Sequence, residues 1–361
     1  MRLTLAQRFC ISSALALLAG CGGGDGGTAP PPAATTGSLS VGVAGLPSDV
    51  AGSVIVTGPS GYTSTVTSAQ TLSGLVPGSY TVTPARVSDK NIGYAATGAT
   101  VTVTAGATAT ASAAYGLRLL SRTTTNRTDV TTSARFHLFY ALPSDGVDRG
   151  LDTNGVIHRT ISSGQRWLAG QTGNRSIRFD VSDDALDITF IRLPRTDAAY
   201  YGYNGAILDS IAKDLRTAGW NQANLLLLAY YDGRHIDRCG SAAVPPTIYP
   251  GNTGAIYLKG APTSPVPCAT TPFAAAPTTA PAYQEFLALH EMFHLLGLVS
   301  TPAPNHALAG HVGNDPTDLM YAGTQVWRPS TVDVTKTNYY NAAGLPAGVT
   351  NFTTSPYVVA P

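Results

Sequence analysis

The residues whose types and spacing most clearly support chemistry are His290-Glu291-Met292-Phe293-His294-Leu295-Leu296-Gly297. On a helix, histidines at i and i+4 project from one face one turn apart, so both imidazoles reach a single metal ion. Two neutral imidazoles leave a tetrahedral zinc room for a third protein ligand and a water. Glu291 stands beside them as the candidate general base, able to take a proton from that water without being a ligand itself. The plainer alternative is a buried helix carrying two hydrogen-bonded histidines. Burying two histidines and a glutamate without partners is costly, which weighs against it.

The element that must position these groups is a helix. Tyr283, Phe286, Leu287, Leu289, Phe293, Leu295, Leu296 and Leu298 surround the motif, too many for one narrow stripe, so the helix is expected to be buried on most sides. Pro281 suits its start and Gly297 its C-terminal cap. Upstream, residues 136–141, 176–180, 187–193 and 225–231 read as strands, the last a continuous apolar run suited to the middle of a sheet. Residues 206–218 carry Ile207, Leu208, Ile211 and Leu215 at helical spacing, with Gly219 as a stop. Residues 255–258 read as a further strand, the candidate sheet edge for pairing with an extended substrate. The Pro-rich segment 260–282 reads as an irregular loop.

The motif and the residues after it resemble the metzincin metallopeptidases, whose pattern is His-Glu-x-x-His-x-x-Gly-x-x-His/Asp with a methionine turn further along the chain. The match runs to Gly297, but the position of the usual third ligand is Ser300. Beyond it come Asn305-His306 and then Gly310-His311-Val312-Gly313-Asn314-Asp315-Pro316-Thr317-Asp318-Leu319-Met320-Tyr321. This looks like bacterial secreted metzincin-like proteins with a loop inserted before the third ligand. The segments 165–173, 178–180 and 230–233 look like the same group. The resemblance implies His290 and His294 as zinc ligands, Glu291 as general base and Met320 in the methionine turn. It implies His311 as third ligand, with His306 and Asp315 as alternatives. Tyr321 is a further candidate, for contact with a transition-state oxyanion. Asp315 and Asp318 could also brace the loop or orient histidines, and a separate calcium site is an alternative that two or three oxygens support only weakly. Trp167 reads as core, and His137, His158 and His235 as isolated structural or surface residues.

The N-terminus reads as a targeting segment. Arg2 and Arg8 precede an apolar run from Phe9 to Ala19 that is too short to span a membrane, and the run ends in Leu18-Ala19-Gly20-Cys21. That tetrad resembles the bacterial lipobox, which implies lipid on Cys21; Gly22 in place of Asp is compatible with outer-membrane sorting. An ordinary secretory signal is the alternative. Residues 22–37, rich in Gly and then Pro and Thr, read as a flexible tether. Of four cysteines, Cys10 belongs to the signal and Cys21 to the lipobox. Cys239 and Cys268 are then expected to pair in an oxidising compartment, the alternative being two free thiols.

Residues 38–115 alternate in short β-branched runs broken by Gly58-Pro59-Ser60-Gly61 and Val76-Pro77-Gly78-Ser79, which argues for a small antiparallel β-sandwich. Leu72-Ser73-Gly74-Leu75-Val76-Pro77-Gly78-Ser79-Tyr80-Thr81-Val82 looks like the repeating hairpin of bacterial transthyretin-like and carboxypeptidase-regulatory-like modules. It holds no histidine, cysteine or carboxylate cluster, so a spacer or adhesion role is expected. Residues 116–134 read as a linker and 135–361 as the catalytic domain.

Over 361 residues the net charge is only +1, with no basic stripe, which excludes nucleic acid as a partner. The fold class expected is α+β: a small antiparallel β-sandwich followed by a metzincin-like domain with a twisted mixed sheet and an active-site helix. The function expected is a zinc-dependent endopeptidase acting on protein or peptide substrates, lipid-anchored to the bacterial envelope or else secreted. The competing reading is a cell-surface adhesion protein with a structural zinc site; a non-peptide hydrolase using the same motif is a third.

Overall fold

The computed structural model describes residues 35–128, 131–202, 206–245, 249–260, 273 and 280–361. The expected signal and lipobox, nearly all of the expected tether, and Cys268 lie outside the described residues. The described residues form a mixed α+β structure.

The N-terminal part contains β1 (Gly37–Ala44), β2 (Val54–Thr57), β3 (Thr63–Val66), β4 (Gln70–Leu75), β5 (Gly78–Pro84), β6 (Val87–Asp89), β7 (Ile92–Ala95), β8 (Ala99–Val103), β9 (Thr108–Ala114) and β10 (Gly116–Leu117). A sheet ordered β3-β2-β5-β8 and another ordered β4-β1-β9 carry the sandwich. Alternation in β1, β2 and β5 buries Leu39, Val41, Val54, Val56, Tyr80 and Val82 in its core. Two expectations need correcting. The sandwich is not wholly antiparallel, because β1 and β9 run parallel. Residues 72–82 are not a hairpin: β4 pairs with β1 while β5 pairs with β2 and β8, so the Val76-Pro77 turn crosses between sheets.

The rest of the chain runs β11 (Arg135–Leu142), α1 (Val156–Gln171), β12 (Ser176–Ile177), β13 (Val181–Ser182), β14 (Ala185–Leu186), β15 (Ile188–Arg192), α2 (Asp197–Tyr201), α3 (Ile207–Thr217), β16 (Leu225–Tyr231), β17 (Gly240–Val244), β18 (Tyr249–Tyr257), α4 (Tyr283–Leu295) and β19 (Val358–Val359). Five strands order as β15-β11-β16-β18-β17. The first four are parallel and β17 is antiparallel to β18. The apolar run of β16 lies in the middle and is buried along its whole length. Successive side chains alternate between faces. Phe136, Leu138 and Tyr140 join the core that includes residues of α1 and α4, while Phe139, Leu227 and Tyr231 join Ile207, Ile211 and Leu215 of α3. The expected edge at 255–258 is corrected: those residues belong to or follow β18, an interior strand, and the edge is β17.

Residues 116–134, a linker by composition, are tied down. β10 pairs with β7, Arg122 reaches Asp148 and Asp152, and Arg127 reaches Asp187. The sandwich itself docks on α1. Arg166 of α1 pairs with Asp49 and Asp89, Gln165 Nε2 donates to Lys90 O, and Tyr94 Oη lies 3.3 Å from Ser162 Oγ. Arg86 and Arg118 both pair with Asp183. On another side of α1, Gly164 faces Leu289 of α4. The sandwich therefore braces the α4 helix through α1, more than a detached spacer would.

His158 of α1 is 2% exposed, and neither ring nitrogen has a hydrogen-bond partner. Burial pushes its pKa down to about 4. The unfolded chain then binds a proton below about 6.5 that the folded chain refuses until about pH 4. The associated stability is fully present above the unfolded value and is lost as pH falls through that window, by about 3 kcal/mol at most. Urea titrations of the wild type and His158→Leu from pH 7.5 to 4.5 should show a shallower acid loss in the variant. Superimposable pH profiles would contradict the assignment.

Candidate metal centre

Along α4 the burial is nearly complete, as the apolar surround of the motif predicts. Gln284, Glu285 and every residue from Leu287 to Leu295 are buried. Glu285 Oε2 accepts from Ala282 N–H at 2.9 Å and caps the first turn. Gly297, at φ +68°, ends the helix in the left-handed conformation.

His290 and His294 point from this helix to one spot, and the loop after it brings His311 to meet them. The three Nε2 atoms form a triangle with every side 3.1 Å. Its partners decide what those atoms are. His290 Nδ1 lies 2.7 Å from Leu319 O and His311 Nδ1 lies 2.8 Å from Leu308 O. A carbonyl only accepts, so each Nδ1 carries the hydrogen and each Nε2 presents a bare lone pair. Burial, with mutual repulsion, pushes His290 down to about 3 and His294 well below the usual histidine range. Burial also lowers His311. His294 Nδ1 has no partner, so its tautomer is free to match; a cation between the three Nε2 atoms would satisfy all of them at once. Three nitrogens bound to one tetrahedral zinc at about 2.0–2.1 Å would stand about 3.3–3.4 Å apart, close to this spacing. The residues fit zinc. Among the described residues no fourth His, Cys, Asp or Glu joins the group.

The two alternatives for the third ligand lie elsewhere. His306 forms a backbone bridge with Val312, and its buried Nε2 has no partner. Asp315 accepts from Thr317 N–H and Oγ1–H, which folds it back on its own turn. Asp318 accepts from Met320 N–H, Val334 N–H and Tyr339 Oη–H. Both carboxylates thus brace the loop, and a calcium site there gains no support. Met320 is buried, and its carbonyl accepts from Val312 N–H, next to His311. Its neighbour Leu319 holds His290, so this turn ties two of the three histidines together. The Tyr321 hydroxyl accepts from Gln325 N–H.

Glu291 is buried beside the triangle. Burial pushes its pKa up to about 8, opposed by the charge of Arg238. A divalent cation held by the histidines would also favour its charged form. Its Oε2 has no hydrogen-bond partner. Two clefts flank these groups. One, of about 390 Å³, is lined by Arg238, Gly240, Ser241, Ala242 and Val244 along β17. The other, of about 230 Å³, is lined by Tyr283, Leu287, Tyr321 and Trp327. Sequence reasoning missed Arg238, Gly240 and Trp327, because sheet pairing and a distant turn bring them here and no local spacing announces them. Cys239, next to them, is buried and disulfide-bonded, and the other three cysteines lie outside the described residues.

Of the isolated histidines, His137 donates or accepts at Asp180 and Thr189, both at 3.0 Å. Asp187 completes a buried group with them. Arg135 and Arg127 already neutralise the two carboxylates, so this is an ion-pair network under the sheet. His235 is buried against Tyr257, and Trp167 packs edge-on against Phe286, as a core residue does.

No family model matches the sequence, and no curated protein matches it. Among solved structures, the minor pilin GBS52 of the Gram-positive pathogen Streptococcus agalactiae is similar over 26% of this chain and 50% of that chain, at 16% identity and a TM-score of 0.21. The Bacillus anthracis TIE protein is similar over 22% of this chain and 16% of that chain, at 20% identity and a TM-score of 0.18. This chain thus spans half or less of either protein, and likeness at that level carries no argument about function.

Proposed function

We propose that this chain is a zinc-dependent endopeptidase of metzincin type. The observation that carries the reading is the triangle of three neutral imidazole nitrogens with an unpartnered, buried carboxylate oxygen of Glu291 beside it. His290, His294 and His311 would hold the ion, and zinc so held supplies Lewis acidity and makes a water more acidic. The absence of a fourth side-chain ligand among the described residues favours a catalytic site over a structural one.

The Glu291 carboxylate accepts the proton of the attacking water and returns it to the leaving amine nitrogen. Among the described residues no strand pairs with the outer side of β17, which offers backbone N–H and C=O groups to an extended peptide as a further strand. Gly240, Ser241 and Ala242 keep that edge low enough for a backbone to approach, and they line the cleft that reaches the histidines. Trp327 meets His290 edge-on, with ring centroids 5.5 Å apart, and lines the cleft on the other side.

The envelope location is part of the same proposal and rests on the lipobox-like Leu18-Ala19-Gly20-Cys21. No helix of the described residues is long and apolar enough to cross a membrane. The chain from residue 22 onward, loaded with zinc, should cleave casein or members of a peptide library and lose that activity to a chelator. Intact peptides after prolonged incubation of zinc-loaded protein would overturn the endopeptidase reading and leave the adhesion reading in its place.

A further inference from the structure

We infer that Gly240 is a positioning residue for Glu291, and the inference rests on the peptidase reading for its catalytic consequence. A Cβ built on Gly240 would stand 2.4 Å from Glu291 Oε1 and 2.9 Å from both its Cδ and its Cγ. Real side chains do not approach so closely, so something must shift. Gly240 is not among the positive-φ residues. Its backbone is one that any residue adopts, and the glycine is required for the space it leaves rather than for its flexibility.

The backbone is held on both sides, so the shift falls on the Glu291 side chain, whose carboxylate borders both clefts. Gly240 is the first residue of β17 and lies opposite Ile256 in the ladder. The carbonyl just before it, of Cys239, accepts from Tyr257 N–H at 2.8 Å, and Cys239 is disulfide-bonded. Glu291 sits on α4 between residues buried on every side, next to His290. The carboxylate is therefore pressed against the bare Cα of the edge strand. The missing Cβ would fall on the Oε1 side of the carboxylate, while Oε2 is enclosed without a hydrogen-bond partner. The same strand that would hold the substrate backbone thus also sets where the base stands. Base and substrate are placed by one rigid part, as general-base chemistry needs, because a displacement of about 1 Å can cost about 100-fold in rate.

The test is a set of four variants: Gly240→Ala, Glu291→Ala, the double variant Gly240→Ala/Glu291→Ala, and Gly240→Ala/Glu291→Asp. Melting is measured on metal-free protein, so that part does not depend on activity. Gly240→Ala should lower the Tm by several degrees in the wild-type background and by much less when Glu291 is Ala, since the clash is then gone. Zinc content of Gly240→Ala should match the wild type, because no ligand is touched. Its kcat should fall by about 100-fold, with KM changed much less. Glu291→Asp, shorter by one methylene, should recover about tenfold of that loss in the Gly240→Ala background. An equal Tm loss in both backgrounds, or an unchanged kcat in Gly240→Ala, would overturn the inference. A wild type that cleaves no peptide overturns the peptidase reading instead, and the metal-free melting cycle still decides whether Gly240 seats Glu291.

Discussion

Glu291→Gln is expected to lower peptide hydrolysis by about 100- to 10,000-fold while the protein keeps its zinc. The substitution preserves shape and removes only the ability to accept a proton. The three histidine nitrogens that would hold the ion are untouched, and each of His290 and His311 keeps the carbonyl that fixes its tautomer. The carboxyl is buried beside the three histidines, and its Oε2 has no competing hydrogen-bond partner. The measurement is kcat on a cleaved peptide together with zinc per chain. Full activity with zinc bound would remove Glu291 from its role and point to a different base.

Asp333→Ala is expected to destabilise the protein by about 3–5 kcal/mol. Asp333 is fully buried, and one carboxylate oxygen accepts from the backbone N–H groups of Asn338, Tyr339 and Tyr340 at 2.7–2.8 Å. The other accepts from Asn338 Nδ2 at 3.1 Å and from Thr337 N–H and Thr335 Oγ1–H at 3.3 Å. Alanine would leave several buried donors without partners, and each costs about 1–3 kcal/mol. The damage should reach the metal centre. Asp333 N–H donates to Tyr339 Oη, which donates to Asp318, and Asp318 in turn accepts from Met320 N–H beside the carbonyl that holds His290. Urea unfolding of the variant should show the loss, and zinc affinity should fall with it. A change below about 1 kcal/mol would mean that water replaces these contacts freely.

The parts of this molecule legible in the sequence are those set by local pattern. The all-round apolar surround of α4 with its stop at Gly297, the apolar run of β16, and the helical spacing of Ile207, Leu208, Ile211 and Leu215 are each read within a single element. The two histidines of α4 belong to the same class, because a helix fixes their spacing. His311 does not. It stands on a loop without regular structure, and what brings it to the triangle is a set of contacts beyond any one element, Val312 N–H to Met320 O and Leu308 O to its own ring. Spacing alone could not separate it from His306, only five residues earlier.

The departures from expectation have the same origin. Residues 72–82 look like a hairpin because two β-branched runs flank a Pro-Gly turn, yet the burial of Leu75 and Tyr80 sends the two strands to different sheets. Residues 255–258 look like an edge because they precede a Pro-rich loop, whereas β17, rich in small residues, lies outside them. Residues 116–134 look like a linker because they are polar. Their arginines instead meet aspartates that lie up to 65 residues further along the chain. Helix α1 carries Ile157, Ile161 and Leu168 at helical spacing, but buried Ser162 and Gln165, which meet the sandwich, interrupt that stripe.

Zinc content by atomic emission, on the chain from residue 22 onward purified without chelators, decides whether the three histidines hold a metal. Wild type is measured beside His311→Ala and His306→Ala. About one zinc per chain is expected in wild type and in His306→Ala, and little or none in His311→Ala, because the three converging nitrogens are those of His290, His294 and His311. A wild type that takes up no zinc even when the metal is added, or a His311→Ala that holds zinc as well as the wild type, would contradict that assignment.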